Sequence, residues 1–340
     1  MIDILRDLIK LIQKLIGKES PDIPISVPLP PKPLPDPPTP PKPKPPKPKP
    51  DSPYFDFFGK QRFLVFVSYF DGIRARHLLK DLDYLKRKGV DGIRLYLNFS
   101  YPPNRPWDFL FQPNGSLHAG RLEMLHTILK LTRKKQMVVD LSSSRRKDPD
   151  GWQMPINTYA RCWGLLAKQL KDWGFEHFLI DIENEHNNPW AGQAHTMMQG
   201  EARAVRKAIQ AHLPDALITA SVASHISPES AVNWAEKEGM NWIGYHDPRV
   251  RTWPEDTEGL ALRCKRAVGS NKIKIYFQEP NGINPGGSAQ STNEFRVALA
   301  GAKRAKIAGW CFHTGAGFTL SDGSFESKLK PAEREFLENL

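Results

Sequence analysis

The sequence predicts an α/β protein whose main domain is a (β/α)8 TIM barrel, preceded by an N-terminal amphipathic helix and a proline-rich linker. Two observations carry the barrel. After Tyr54, eight apolar runs alternate with amphipathic helical segments. The runs are nearly continuous in apolar residues, the mark of parallel strands buried on both faces. Eight such units in the 286 residues from 55 to 340 fit a closed barrel. A third observation argues against an open doubly wound sheet. The first strand-to-helix junction reads "YFDGIRAR", without the glycine-rich fingerprint such a sheet carries there.

Taken in order, the chain opens with "MIDILRDLIKLIQKLIG". Ile2, Ile4, Leu5, Leu8, Ile9, Leu11, Ile12, Leu15 and Ile16 give a helical period with a wide apolar face, ending at Gly17. Asp3 and Asp7 come early and Lys10, Lys14 and Lys18 late, which suits the helix dipole. The acidic start and interrupting lysines do not fit a classical signal peptide, and the run is too short and charged to span a membrane. Residues 1–18 are therefore expected to self-associate or to dock onto an assembly. Lying flat on a membrane surface is the alternative. Residues 19–54 form the linker. From Pro21 to Pro53 it holds 17 prolines in 33 residues, including "PPKPKPPKPKP". Such a stretch is a stiff polyproline II spacer, reaching on the order of 100 Å when fully extended. A spacer between an associating helix and a globular domain implies tethering. Synthesis in the cytoplasm with attachment to a virion or cell-surface complex fits this architecture.

The barrel domain is expected over 55–340. Its strands are read at 63–70, 91–99, 137–143, 178–185, 217–224, 242–247, 274–279 and 309–314. Between them lie amphipathic segments such as "ARHLLKDLDYLKRKG", "ARCWGLLAKQLKDWG" and "EFRVALAGAKRAKIAG", and "KPAEREFLENL" closes the chain.

The formal charge is +11, yet it is thinly spread. No dense basic patch marks a nucleic-acid partner. Cys162, Cys264 and Cys311 are odd in number and widely spaced. They form neither a zinc pattern nor a disulfide framework. No His-x-His follows the first strand, as a metal-dependent barrel hydrolase would require.

In a barrel all strand C-terminal ends meet at one face. Here the fourth strand runs into "IDIENEHN", with Asp181, Glu183 and Glu185 at alternate positions. Packing alone does not call for carboxylates there. The seventh strand ends at Glu279, the second carries Arg94, the sixth ends in Tyr245, His246 and Asp247, and the eighth carries Trp310 and His313. Two glutamates facing each other across the mouth suit retaining glycoside hydrolysis, in which the carboxyl groups stand about 5 Å apart.

This layout resembles glycoside hydrolase clan A, and most closely family 5. The resemblance rests on Asn184-Glu185 at the fourth strand end, Glu279 at the seventh and Arg94 in "GIR" on the second, over roughly residues 60–325. It implies that Glu185 is the acid/base and Glu279 the nucleophile. It further implies that Asn184 binds the sugar 2-hydroxyl and that Arg94 keeps Glu279 ionised. His246 or Tyr245 would orient one of the carboxylates. The sequence departs from the family in three places. Ser142 and Ser143 stand where a histidine usually follows the third strand. Tyr-His-Asp replaces His-x-Tyr on the sixth, and His313 stands at the usual tryptophan position on the eighth.

Tyr101, Trp107, Trp152, Trp190 and Trp253 lie in loops of the expected active face, where aromatic rings stack on sugars. Arg145, Arg146 and Lys147 form a solvated loop, or a recognition surface for an acidic glycan. The substrate class is thus an oligo- or polysaccharide. No metal or organic cofactor is implied. Two other readings stand. A phosphate-site barrel would use the glycines of "NGINPGGSAQ" and "HTGAGF", and a non-catalytic barrel would only bind carbohydrate.

Overall fold

The computed structural model describes residues 52–98, 109–145, 153–187, 197–223, 226–246, 253–280 and 290–340. The N-terminal helix and nearly all of the linker lie outside the described residues.

The described chain begins with a small hairpin, β1 (Asp56–Phe57) and β2 (Lys60–Gln61). Its turn residues Phe58 and Gly59 both have positive φ, 54° and 70°. That turn geometry matches the right-handed twist of paired strands.

Eight parallel strands follow: β3 (Leu64–Ser68), β4 (Gly92–Tyr96), β5 (Val138–Ser142), β6 (Phe178–Asp181), β7 (Ile218–Thr219), β8 (Trp242–His246), β9 (Lys274–Glu279) and β10 (Gly309–Phe312). They pair in the order β7-β6-β5-β4-β3-β10-β9-β8. A parallel bridge from Val222 to Tyr245 joins the chain beyond β7 to β8 and closes the ring. The helices are α1 (Leu78–Arg87), α2 (Ala119–Lys134), α3 (Ile156–Trp173), α4 (Glu201–Gln210), α5 (Pro228–Glu238), α6 (Trp253–Val268), α7 (Thr292–Arg304), α8 (Phe325–Lys328) and α9 (Pro331–Glu338). The expected (β/α)8 barrel is present.

Local chemistry sets the helix ends. Ser291 caps α7 in a reciprocal box with Glu294, which satisfies two otherwise orphaned backbone donors. Ser227 caps α5, with Pro228 at its first position. Gly174 and Gly239 end α3 and α5 in the left-handed conformation, which glycine adopts without strain. Among the described residues no helix is long and apolar enough to cross a membrane.

Side chains alternate along each strand. Val65, Val67, Ile93, Leu95, Val139, Leu141 and Ile180 join the helices in the larger core cluster. Leu64, Phe66, Val138, Leu179, Trp242, Tyr276 and Cys311 form a second cluster together with Phe55 and Phe57 of the hairpin. This second set fills the barrel, and the Phe55 ring meets Trp242 edge-on at 6.1 Å. The hairpin therefore plugs the face opposite the strand C-terminal ends. The three cysteines are buried and form no disulfide.

Seven of the eight strands are shorter than the sequence predicts, and two of these shortenings shape the site. The expected 178–185 run ends at Asp181, and 217–224 reduces to Ile218–Thr219. Backbone bonds from Ile182 to Thr219, from Ser221 to Glu183 and from Asn184 to Ser143 hold the segment in place. The chain then leaves the sheet, and Glu185 takes a φ of 55°. The acids read as one alternating face thus point to three separate environments.

Candidate active site

Above the apolar filling, the next residues inside the barrel are polar. Arg94 sits at their centre and is fully buried. Its Nε donates to Ser142 Oγ at 2.9 Å, Nη1 to Glu279 Oε1 at 2.7 Å and Nη2 to Asn184 Oδ1 at 2.7 Å. Asp181 Oδ2 lies 3.4 Å from Nη2 and Asp140 Oδ2 3.6 Å from Nε. Gln278 Nε2 donates to both carboxylates, at 2.8 Å to Asp140 and 3.3 Å to Asp181. Burial opposes the charge on Arg94, but the Tyr96 oxygen, Glu279, Asp140 and Asp181 outweigh it and hold the guanidinium well above its usual pKa. Burial raises Asp140 to about 7 and also raises Asp181, against the pull of Arg94. A buried cation that meets more acids than it can neutralise leaves at least one of them an excess proton.

Glycine makes this layer possible. A Cβ on Gly244 would lie 2.1 Å from Gln278 Oε1. The glutamine-to-carboxylate bridge therefore fits against glycine on β8, and a larger residue there would have to displace the Gln278 amide.

Toward the mouth, Tyr96 donates its hydroxyl to Asn184 Oδ1 at 3.4 Å and to Glu279 Oε1 at 3.3 Å. Its ring stacks on Phe70 at 4.0 Å and 5°. Burial holds the phenol well above its usual pKa, so it remains a donor. Glu279 thus has Oε1 fixed from below, while Oε2 faces His246 Nδ1 at 3.6 Å and His313 Nε2 at 3.7 Å. On the other side, Glu185 Oε1 meets His246 Nδ1 at 2.9 Å, and the Glu185 backbone N–H donates to Ser221 Oγ. Glu185, His246 and Glu279 each place a ligand atom within 4.8 Å of the other two.

The structure brings Arg94, Asn184, Glu185, His246, Glu279 and His313 together. It does not bring Tyr245 and Trp310 to them. Tyr245 donates its hydroxyl to the Ile226 carbonyl and packs on Phe277 at 5.7 Å. Trp310 is fully buried against Phe312 and Phe336. Both have the strand parity that faces the helices, one residue out of step with His246 and Cys311. Trp190, Tyr101, Trp107, Trp152, Asp247, Arg146 and Lys147 lie outside the described residues, and the side chain of Trp253 does too.

Glu183 takes no part in the mouth. Its two oxygens accept from the Ser144 hydroxyl at 2.5 Å and the Arg145 backbone N–H at 3.0 Å. Arg145 itself pairs with Glu201 at 2.9 Å. Asp91, at the start of the same strand region as Arg94, pairs with Arg62. Of the glycines after the eighth barrel strand, Gly317 has a local task. A Cβ on Gly317 would lie 2.0 Å from the Ser68 carbonyl.

Sequence reasoning missed Tyr96, Asp140 and Gln278. A signal was present: each is a polar residue at inward parity in an apolar run, and Tyr96 stands two residues after Arg94. It also missed Phe318, half-exposed beyond β10, whose ring lies 4.6 Å from Phe70 and 6.0 Å from His313.

No protein-family profile and no curated protein sequence matches the chain. Solved structures do match its fold. An exo-β-1,4-mannosidase from an Opitutaceae bacterium aligns with a TM-score of 0.58 at 17% identity, over 84% of this chain and 60% of that one. A broad-specificity endoglucanase from an uncultured bacterium gives 0.58 at 13% identity, over 81% and 93%. A family 5 mannosidase from Rhizomucor miehei gives 0.54 at 12% identity, over 77% and 83%. The chain spans less than two thirds of the Opitutaceae mannosidase. At these identities the likeness establishes the TIM-barrel fold shared with glycoside hydrolases.

Proposed function

We propose that the protein is a retaining glycoside hydrolase acting on β-linked glycans, with Glu279 as nucleophile and Glu185 as acid/base. The observation that carries this reading is the pairing of the two glutamates. An oxygen of each stands within 4.8 Å of an oxygen of the other, which suits the roughly 5 Å spacing of the two carboxyl groups in retaining enzymes.

The roles follow from the partners. Arg94 favours the ionised form of Glu279. It also fixes Oε1, so Oε2 is the oxygen that attacks the anomeric carbon. As the C–O bond to the leaving sugar breaks, Glu185 gives its proton to the departing oxygen. The glycosyl group is then ester-linked to Glu279. Glu185, now a carboxylate, takes a proton from water, which attacks the anomeric carbon and releases Glu279. His246 orients Glu185 throughout. Both contacts of Asn184 go to Oδ1, which leaves its amide N–H groups to donate to a sugar hydroxyl. Phe318 offers the ring face for a pyranose that the missing tryptophan would otherwise supply.

Because the fold neighbours include mannosidases and an endoglucanase, β-mannosides and β-glucosides head the substrate panel. The test is hydrolysis of aryl β-glycosides and β-linked polysaccharides by wild type and Glu279→Ala. Activity lost in the variant and partly restored by azide, with an α-glycosyl azide as product, supports the reading. A wild type that binds glycans but cleaves none overturns it in favour of a binding barrel. Residues 1–18 and the proline-rich linker would tether the hydrolase to an assembly or surface.

A further inference from the structure

We propose that the mouth of this barrel is also a binding site for a divalent first-row transition metal, Zn2+ in particular, formed by Glu185, His246 and Glu279, and that the bound ion excludes the sugar. Nothing in the proposed hydrolysis uses a metal.

The case is geometric. Zinc bonds of about 2.0–2.2 Å to imidazole nitrogen and carboxylate oxygen, arranged tetrahedrally, put neighbouring ligand atoms roughly 3.4 Å apart. His246 Nδ1 lies 2.9 Å from Glu185 Oε1 and 3.6 Å from Glu279 Oε2, so the two edges bracket that spacing. The remaining edge is under 4.8 Å. Side-chain rotations that draw the two glutamate oxygens together to roughly 3.4 Å, a closure of at most about 1.4 Å, would complete three corners of a tetrahedron and leave the fourth position to water. One imidazole with two carboxylates selects transition ions over magnesium or calcium.

Electrostatics does not forbid the ion. Arg94 engages Oε1 of Glu279, the oxygen turned away from His246. Its charge is offset from below by Asp140 and Asp181. The rest of the shell is rigid, because Arg94 and Tyr96 fix Glu279 and the Glu185 backbone is tied to Ser221. Preorganised ligands bind metals with little reorganisation.

The position matters for function. An ion held by Glu185 Oε1 and Glu279 Oε2 occupies the point between acid and nucleophile where the anomeric carbon must sit. Metal and glycan are then mutually exclusive. Metal binding rests on the geometry alone, whereas inhibition rests on the proposed hydrolysis.

The experiment uses the full chain without an affinity tag, stripped with chelator and titrated with Co2+. The expected result is the intense visible absorption of four-coordinate Co2+ at one ion per chain, displaced by Zn2+ and lost in both His246→Asn and Glu279→Gln. Far-ultraviolet circular dichroism checks that both variants remain folded. No such band, or a band unchanged in folded variants, overturns the site. On any substrate that the stripped enzyme turns over, Zn2+ should raise KM at unchanged kcat, and chelator should reverse the effect. Chelator-stripped enzyme that is inactive until Zn2+ is added would overturn the inhibitory role. An enzyme that hydrolyses nothing would still show the cobalt band, so failure of the hydrolase reading and failure of the metal site are separable.

Discussion

Arg94 on the second barrel strand donates to Glu279 on the seventh across 2.7 Å, with the guanidinium fully buried and the carboxylate nearly so. Four further acceptors surround the same guanidinium: Ser142, Asn184, Asp140 and Asp181. The orientation of Glu279, the proposed nucleophile, therefore depends on a network drawn from four strands.

Arg94→Lys keeps the charge and loses the planar fork that reaches Glu279 and Asn184 together. We expect kcat/KM to fall about a hundredfold, the scale of losing one preorganised donor. Steady-state kinetics with stability measured in parallel checks this, and unchanged kinetics would contradict it.

Gly244→Ala places a methyl group against Gln278 Oε1. Overpacking of this kind costs about 2 kcal/mol, and here it also pushes away the amide that bridges Asp140 and Asp181. Denaturant unfolding should show that loss, together with reduced activity, although residue 244 touches no substrate.

Burial raises Asp140 to about 7 and raises Asp181 as well. The native state then holds protons that the unfolded chain releases between about pH 4 and pH 7. Stability from this source is full below about pH 4 and is lost as pH rises through 7. Asp140→Asn should flatten that slope and be more stable, relative to wild type, at pH 8 than at pH 5. Melting temperatures of both proteins at the two pH values decide it.

Glu185 holds a left-handed φ of 55°, a conformation that costs a non-glycine residue about 1 kcal/mol or more. Glu185→Gly should be about 1 kcal/mol more stable than Glu185→Gln, because only glycine relieves the backbone. Both should lose catalysis by about a thousandfold, the middle of the range for general acid-base help. Paired unfolding curves separate backbone strain from side-chain chemistry.

Most of the barrel was legible because its signal is local. Apolar runs and helical periods mark eight strands, and strand ends mark the face where Glu185, Glu279 and Arg94 meet. What the sequence concealed depends on parity and on breaks in regularity. Tyr245 and Trp310 lie one residue out of step with the inward positions, and so pack against helices. Asp181, Glu183 and Glu185 share a two-residue period on paper, but the strand stops at Asp181 and the turn sends each elsewhere. Asp140 and Gln278 sit inside apolar runs and read as exceptions. Only the closed ring, with Gly244 on the strand beside Gln278, shows that they form one layer beneath Glu279.

The central claim is that Glu279 forms a covalent bond to the sugar. The direct measurement is incubation with activated 2-deoxy-2-fluoro-β-glycosides of glucose and mannose, followed by peptide mass spectrometry. The account predicts one fluoroglycosyl group per chain, on the peptide containing Glu279 and at that residue. Labelling at Glu185 instead, or turnover of the parent glycosides with inverted anomeric configuration, would contradict it.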